Sequence, residues 1–161
     1  TAPVSKAHSL MDYQGAFLAA LRRTSGGDKM DLVLQAGIPV TMVCPCSKAI
    51  SEKGAHNQRS LITIRVRSSE LVWREELIEI AEEAASAPVY SLLKREDEKA
   101  VTESAYENPC FVEDAVRAVA ARLKTDPRVL WYEVESENQE SIHNHNAYAM
   151  VSSGHFPDRQ A

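Results

Sequence analysis

Cys44-Pro45-Cys46-Ser47-Lys48 and, shortly after it, Gly54-Ala55-His56-Asn57-Gln58-Arg59-Ser60 place thiols, an imidazole and cations in one short stretch. Far downstream, Glu137-Asn138 and Ser141-Ile142-His143-Asn144-His145-Asn146 add a carboxylate and further imidazoles. Soft and hard donors at this density, set among Gly, Asn, Pro and Ser, are what a transition-metal site needs. Cys44, Cys46, His56, Glu98, His143 and His145 are the candidate donors. Thiolate and neutral imidazole suit zinc and other borderline divalent ions, and a carboxylate widens the choice toward manganese or iron. The spacing does not match the paired knuckles of a closed zinc finger. Donors spread from Cys44 to His145 need a folded scaffold to converge, which is more typical of a catalytic site. Taken singly, each group has a plainer reading. Cys44 reads as a small buried hydrophobe at a strand end, and an isolated His or Lys as a solvated side chain. Cys110 belongs to no cluster. The metal reading rests on the joint pattern.

The scaffold is one domain, or one domain with an arm: 161 residues, 44% hydrophobic, are enough for a real core. A net charge of −5 argues against a nucleic-acid coat. An anionic small substrate stays compatible, because local fields can oppose net charge. No apolar run approaches the length of a membrane span, and no secretory signal pattern is visible. Three cysteines, an odd number, do not read as a secreted disulfide framework. The expectation is a cytoplasmic protein with thiols free to bind metal.

Residues 1–29 read as an arm ending in the loop signal Thr24-Ser25-Gly26-Gly27-Asp28. Met30 to Val43 reads as a strand, with Pro39 pointing to an edge or bulge. Residues 44–58 read as a loop, and Leu61 to Arg67 alternates as a half-buried strand. Glu70 to Ala85 has helical spacing at Trp73, Leu77, Ile80, Ala81 and Ala84. A second helix is expected with Asn108 as N-cap and Pro109 at the first position. Glu113 and Asp114 favour the positive end of its dipole, Phe111, Val112, Ala115, Val116, Val119 and Leu123 line its buried stripe, and Asp126-Pro127 stops it. Val129 to Glu137 and Ala147 to Ser152 are the last strands, and 153–161 is a tail. The order β-β-α-α-β-β predicts an α+β domain over 30–152, an antiparallel sheet with two helices on one face. A lone four-stranded sheet leaves two open edges, which favours oligomerisation. Glu133, Glu135, Glu137 and Glu140 read mostly as a solvated strand face, or as hydrogen-bond partners positioning His143.

The stretches CPCSKAIS, GAHNQRS, DEKAVTESAYENP, FVED and VESENQESIHNHNAYA closely resemble the prokaryotic GTP cyclohydrolases of type IB, from about Thr1 to about Ser152. Members of that family are longer, and the match looks like their C-terminal half or slightly more. The resemblance implies the tunnelling fold, whose sheets join edge to edge into an oligomeric barrel, and a tetramer for the full-length family. It implies Cys44, His56, Glu98 and His143 as metal ligands, with Cys46 and His145 close by in catalytic or supporting roles. It implies a divalent metal, manganese foremost for activity, with zinc or iron as alternatives. The implied reaction opens the guanine imidazole ring of GTP, releases formate and re-closes the ring as 7,8-dihydroneopterin triphosphate, the first step of folate biosynthesis. A metal generates the nucleophile near neutral pH, and thiol and imidazole groups move protons.

In that family a helix-borne Glu takes the guanine N1–H and amine together, and Glu113 in FVED matches it. Without the resemblance, Glu113 is a first-turn acid stabilised by the helix dipole. The triphosphate needs cations, and Lys48 and Arg59 are the candidates within the motifs, with Lys94, Arg95 and Lys99 beside them. Tyr106 and Asn108 are expected to shape a loop between Glu98 and the second helix. Two other functions compete: a metal-stabilised but catalytically incomplete half-subunit, and another tunnelling-fold enzyme acting on a purine or pterin.

Overall fold

The computed structural model describes residues 1–24 and 27–154, with side chains described outside 20–24 and 28–31. Its elements are β1 (Gln14–Thr24), β2 (Gly27–Val43), α1 (Pro45–Ile50), β3 (Asn57–Ser68), α2 (Arg74–Ala84), β4 (Ala87–Pro88), α3 (Arg95–Glu107), α4 (Val112–Thr125), β5 (Val129–Gln139) and β6 (Ala147–Ser152). The class is α+β, as expected, with one antiparallel sheet ordered β1-β2-β3-β5-β6 and β4 pairing with β2.

Period-two alternation decides which face is buried. On β2, Leu34, Ala36, Ile38, Val40 and Met42 point inward; on β3, Ile62, Ile64 and Val66; on β5, Tyr132 and Val134. They meet Leu77 and Ala81 of α2 and Ala115, Val116, Val119, Ala120 and Leu123 of α4, so both helices cover the same sheet face. Among the described residues, no helix is long and apolar enough to cross a membrane.

Several elements depart from the sequence reading, β4 among them. Gln14–Thr24 is a strand paired along its whole length with β2, so this part of the expected arm belongs to the sheet. Its sequence, QGAFLAALRRT, has no β-branched residue before its end. Pairing with the long β2 overrides that weak propensity. Pro39 has β3 as its strand partner and lies between Gly37, the last residue paired with β1, and Val40, the first paired with β4, where one side of β2 is locally an edge. The stretch 44–58 is not all loop: it contains α1 and the start of β3. α3 was not foreseen at all. Within it only Asp97 and Ala105 are buried, so it lacks the apolar stripe by which a helix is recognised. Asn108 consequently caps the C-terminus of α3, its amide donating to the Ala85 carbonyl at 2.9 Å, and Phe111 rather than Asn108 precedes α4. Trp73 stands outside the α2 stripe as its N-cap and is 61% exposed. The loop signal at 24–28 and the tail at 153–161 lie partly outside the described residues.

Arg128 locks the turn between α4 and β5 to the start of α2. Its guanidinium donates to Glu76 Oε2 at 2.6 Å, Asp126 Oδ2 at 2.7 Å and the Leu71 carbonyl at 3.0 Å. Hydrogen bonds from Arg128 hold both the Glu76 and Asp126 carboxyls below their ordinary values.

Leu77→Ala, at a fully buried position, is expected to cost about 2–5 kcal/mol in urea unfolding; a loss well under 1 kcal/mol would mean that α2 does not pack as described. The lowered carboxyl values carry a sign. Their stabilising contribution is complete above about pH 4.5, where both groups are ionised in either state, and fades as pH falls through the lowered folded values. Arg128→Met should therefore flatten the acid limb of stability against pH, and an unchanged limb in urea titrations from pH 7 to pH 3 would contradict the role of Arg128.

Candidate functional site

The site grows from the ends of β2 and β3. Their ladder closes at Val43 and Asn57. One step further the Cys44 N–H donates to the His56 carbonyl at 3.1 Å. Cys44 is the N-cap of α1, and the Ser47 N–H donates to its Sγ at 3.4 Å. The Ser47 hydroxyl donates to the Cys44 carbonyl at 3.1 Å and accepts from the His56 N–H at 3.2 Å. Cys44 and His56 are thus held in one hydrogen-bonded unit. An open cavity of about 310 Å³ lies beside it, lined by Ser47, Ser51, Lys53, Gly54, Ala55 and His56.

The segment between β5 and β6 reaches the same place. Ser141 Oγ lies 3.2 Å from His56 Nδ1. His143 and His145 are exposed, their rings stacked with centroids 5.2 Å apart. A buried polar ladder joins β3 to the end of β5. Ser60 donates to Asn138 at 2.6 Å, and Gln58 donates to Glu140 over a long 3.4 Å. Gln58 Oε1, Glu140 Oε2 and Ser136 Oγ are buried without a hydrogen-bond partner among the described residues. Its trace in the sequence is polar residues at Gln58 and Ser60 where β3 alternation demands inward apolar ones.

The remaining acids of β5 mostly serve the sheet. Glu133 and Glu135 pair with Arg65 at 2.7 and 2.9 Å, Glu135 accepts from the Tyr148 hydroxyl, and Glu137 accepts from Asn146.

The other candidates lie on α1, β3, α3 and α4. Glu98 is exposed in the first turn of α3, and Glu113 is exposed in the first turn of α4 with no ion pair among the described residues. Cys46 is exposed on α1. Burial pushes the Cys110 thiol up to about 11, with Asp114 adding to it, and Cys110 lies ahead of α4 rather than in the first turn of the second core helix. Lys48 is committed: its ammonium donates to the Tyr106 carbonyl at 2.5 Å and sits 4.3 Å above the Tyr106 ring. Tyr106 is therefore a helical residue that ties α1 to the end of α3, not part of a loop. Lys99 pairs with Glu103 at 3.8 Å, and Lys94 is the N-cap of α3. Arg59 is exposed, with no ion pair among the described residues.

Two residues outside the expected set carry structure here. Ser141 lies within hydrogen-bond reach of His56 Nδ1, a contact able to fix the orientation of the ring. Asp97, 0% exposed, accepts from Val4, Ser5 and Lys94. Burial would raise its pKa, but hydrogen bonds from Ser5, Lys94 and Val4 outweigh it and hold the carboxyl well below the usual range. The charge-rich run around Asp97 masked it, because buried acids are rare without partners.

The donor chemistry fits a divalent metal, and Cys44 and His56 share one unit. Among the described residues, however, no three His, Cys, Asp or Glu side chains gather into a metal-holding group. Lys48→Met should cost about 1 kcal/mol of stability through the lost cation–π and hydrogen-bond contacts. No change in denaturant midpoint would show that the Tyr106 contact is idle.

Known proteins supply the frame for this arrangement. The model of the family described as Type I GTP cyclohydrolase folE2 matches residues 1–149. The GTP cyclohydrolase FolE2 of Syntrophotalea carbinolica is 59% identical over 158 residues, 98% of this chain and 56% of the relative. That of Citrifermentans bemidjiense is 58% identical, over 94% of this chain and 55% of the relative. That of Kosmotoga olearia is 50% identical, over 95% of this chain and 58% of the relative. The chain thus spans little more than half the length of these relatives. The match covers every candidate site residue, and the chain belongs to the type I GTP cyclohydrolase FolE2 family.

Proposed function

We propose that this chain carries the active-site motifs of a GTP cyclohydrolase, which converts GTP and water to 7,8-dihydroneopterin triphosphate and formate at the entry to folate synthesis. The observation that supports it most is the family match across 1–149, which includes the Cys44–His56 unit, Glu98, Glu113 and the His143–His145 segment. Glu113, exposed at the start of α4 with no ion pair among the described residues, takes the guanine N1–H and amine in a bidentate contact. Arg59, with no ion pair among the described residues, supplies a cation for the triphosphate; Lys48, held on Tyr106, contributes field at the same end of the sheet. Cys46 and His145 move protons as the ring opens. Cys44, His56, Glu98 and His143 would hold a divalent metal, manganese foremost and zinc or iron otherwise. Such an ion lowers the pKa of water and makes it a nucleophile near neutral pH.

The tunnelling fold and a homo-oligomer, a tetramer for the whole protein, belong to the same reading. Among the described residues β1 and β6 each leave one edge of the sheet unpaired, and joining sheets edge to edge covers both. A second reading, a metal-stabilised but catalytically incomplete unit, is favoured by one observation: no three donors cluster among the described residues.

Metal-stripped protein, resupplied with manganese or zinc and given GTP, should form a fluorescent pterin after oxidation, and Cys44→Ala and His143→Ala should each abolish it. Stoichiometric metal uptake without pterin would establish the second reading instead.

A further inference from the structure

The first residues of the chain do something that the reaction does not obviously require. The Ala2 N–H donates to the Ala7 carbonyl at 2.9 Å, closing residues 2–7 into a turn. Lys6, within the turn, adopts a left-handed backbone at φ 57, which a side chain other than glycine rarely takes. Its ammonium donates to the Pro3 carbonyl at 2.7 Å. The turn aims successive donors at one acceptor. The Val4 and Ser5 N–H groups both donate to Asp97 Oδ1 at 2.8 Å, and the Ser5 hydroxyl donates to Asp97 Oδ2 at 2.5 Å. Ser5 Oγ accepts in turn from the Ala7 N–H at 3.3 Å. Consecutive N–H groups arranged in this way form an anion-cradling nest. Here the anion is a side chain of the same protein, Asp97, which is itself 0% exposed.

Asp97 faces two ways. Its Oδ2 also accepts from the Lys94 N–H at 3.0 Å, at the N-cap of α3. Glu98 follows directly, and its N–H makes the first helical bond, to the Lys94 carbonyl at 2.9 Å. The first turn of α3 is thus pinned through Asp97 to a segment more than ninety residues away in sequence. The rest of α3 is mostly exposed and buries only Ala105 besides Asp97, so apolar packing does little to fix its start. The Ser91 hydroxyl, donating to the Leu10 carbonyl, attaches the same strap just upstream of α3.

We propose that Asp97 is a positioning residue: gripped by the 2–7 turn, it sets the place of α3's first turn and thereby the reach of the Glu98 carboxylate toward the Cys44–His56 unit. The inference rests on the functional reading in which Glu98 is a metal ligand. A backbone strained at Lys6 and a hydrogen-bonded carboxylate with no solvent exposure are more than a solvated helix start needs; they suit a ligand whose position matters.

The test loads the whole chain with cobalt(II) and reads its ligand-field and thiolate charge-transfer absorption, together with affinity and thermal midpoint, in four proteins: wild type, Glu98→Gln, Asp97→Asn and Ser5→Ala. Asp97→Asn should weaken cobalt binding about tenfold or more and shift the spectrum in the direction of Glu98→Gln. Ser5→Ala, which removes one of the bonds to Asp97, should do the same to a smaller degree. If Asp97→Asn does not fold, the graded shift in Ser5→Ala decides. Unchanged spectrum and affinity in the folded Asp97 and Ser5 variants, with a lowered midpoint only, would overturn the proposal and leave Asp97 a stability residue. A wild type that takes up no cobalt, or a Glu98→Gln protein indistinguishable from it, would instead remove Glu98 as a ligand, and the proposal with it.

Discussion

The register between β2 and β3 is the constraint on which the rest of the molecule depends. Its rungs place Ile38 opposite Ile62 and Ala36 opposite Ile64, and they end at Val43 and Asn57. Cys44 and His56 are simply the next residues, joined by one more backbone bond. A slip of one residue would turn the inward row of β3 to the outer face. It would also part Cys44 from His56. Core and candidate site are therefore specified by one ladder, and the apolar burial that stabilises the first holds the second in place.

Along that ladder the inward face changes character. Ile62, Ile64 and Val66 lie under α2 and α4, whereas Gln58 and Ser60, at the site end, meet Asn138 and Glu140. Burying polar groups where apolar ones would pack costs stability unless each finds a partner. Here three buried side-chain atoms have none among the described residues. Such a site is built for purposes other than stability, consistent with the tendency of functional regions to break local folding rules.

Around this end of the sheet, contacts distant in sequence do what apolar packing does not. Ser141 reaches His56 across the β5–β6 connection, Lys48 reaches Tyr106 at the end of α3, and Asp97 holds the 2–7 turn to the start of α3. Each involves a hydroxyl or a charged group, so each is directional. Directional bonds hold exposed segments such as α3 and the His143 segment in register where a smooth apolar interface would let them slide.

The sequence by itself determined the fold class, the two core helices and the strands beginning near 30, 60, 129 and 147, because alternation and helical spacing are local properties of apolar residues. It also determined the family, since the donor-bearing motifs are contiguous stretches. Only the tertiary structure decided that Gln14–Thr24 is a strand, because an alanine-rich segment becomes one through its partner. Only it decided that α3 is a helix and that Asn108 ends it rather than begins α4, because a helix with almost nothing to bury leaves no periodic signal. The candidate site divides in the same way. Cys44, His56 and the His143 segment were legible as residue types at suggestive spacings. The roles of Ser141, Asp97 and Tyr106 were not, because a hydrogen bond between residues tens of positions apart exists only once the chain has brought donor and acceptor together.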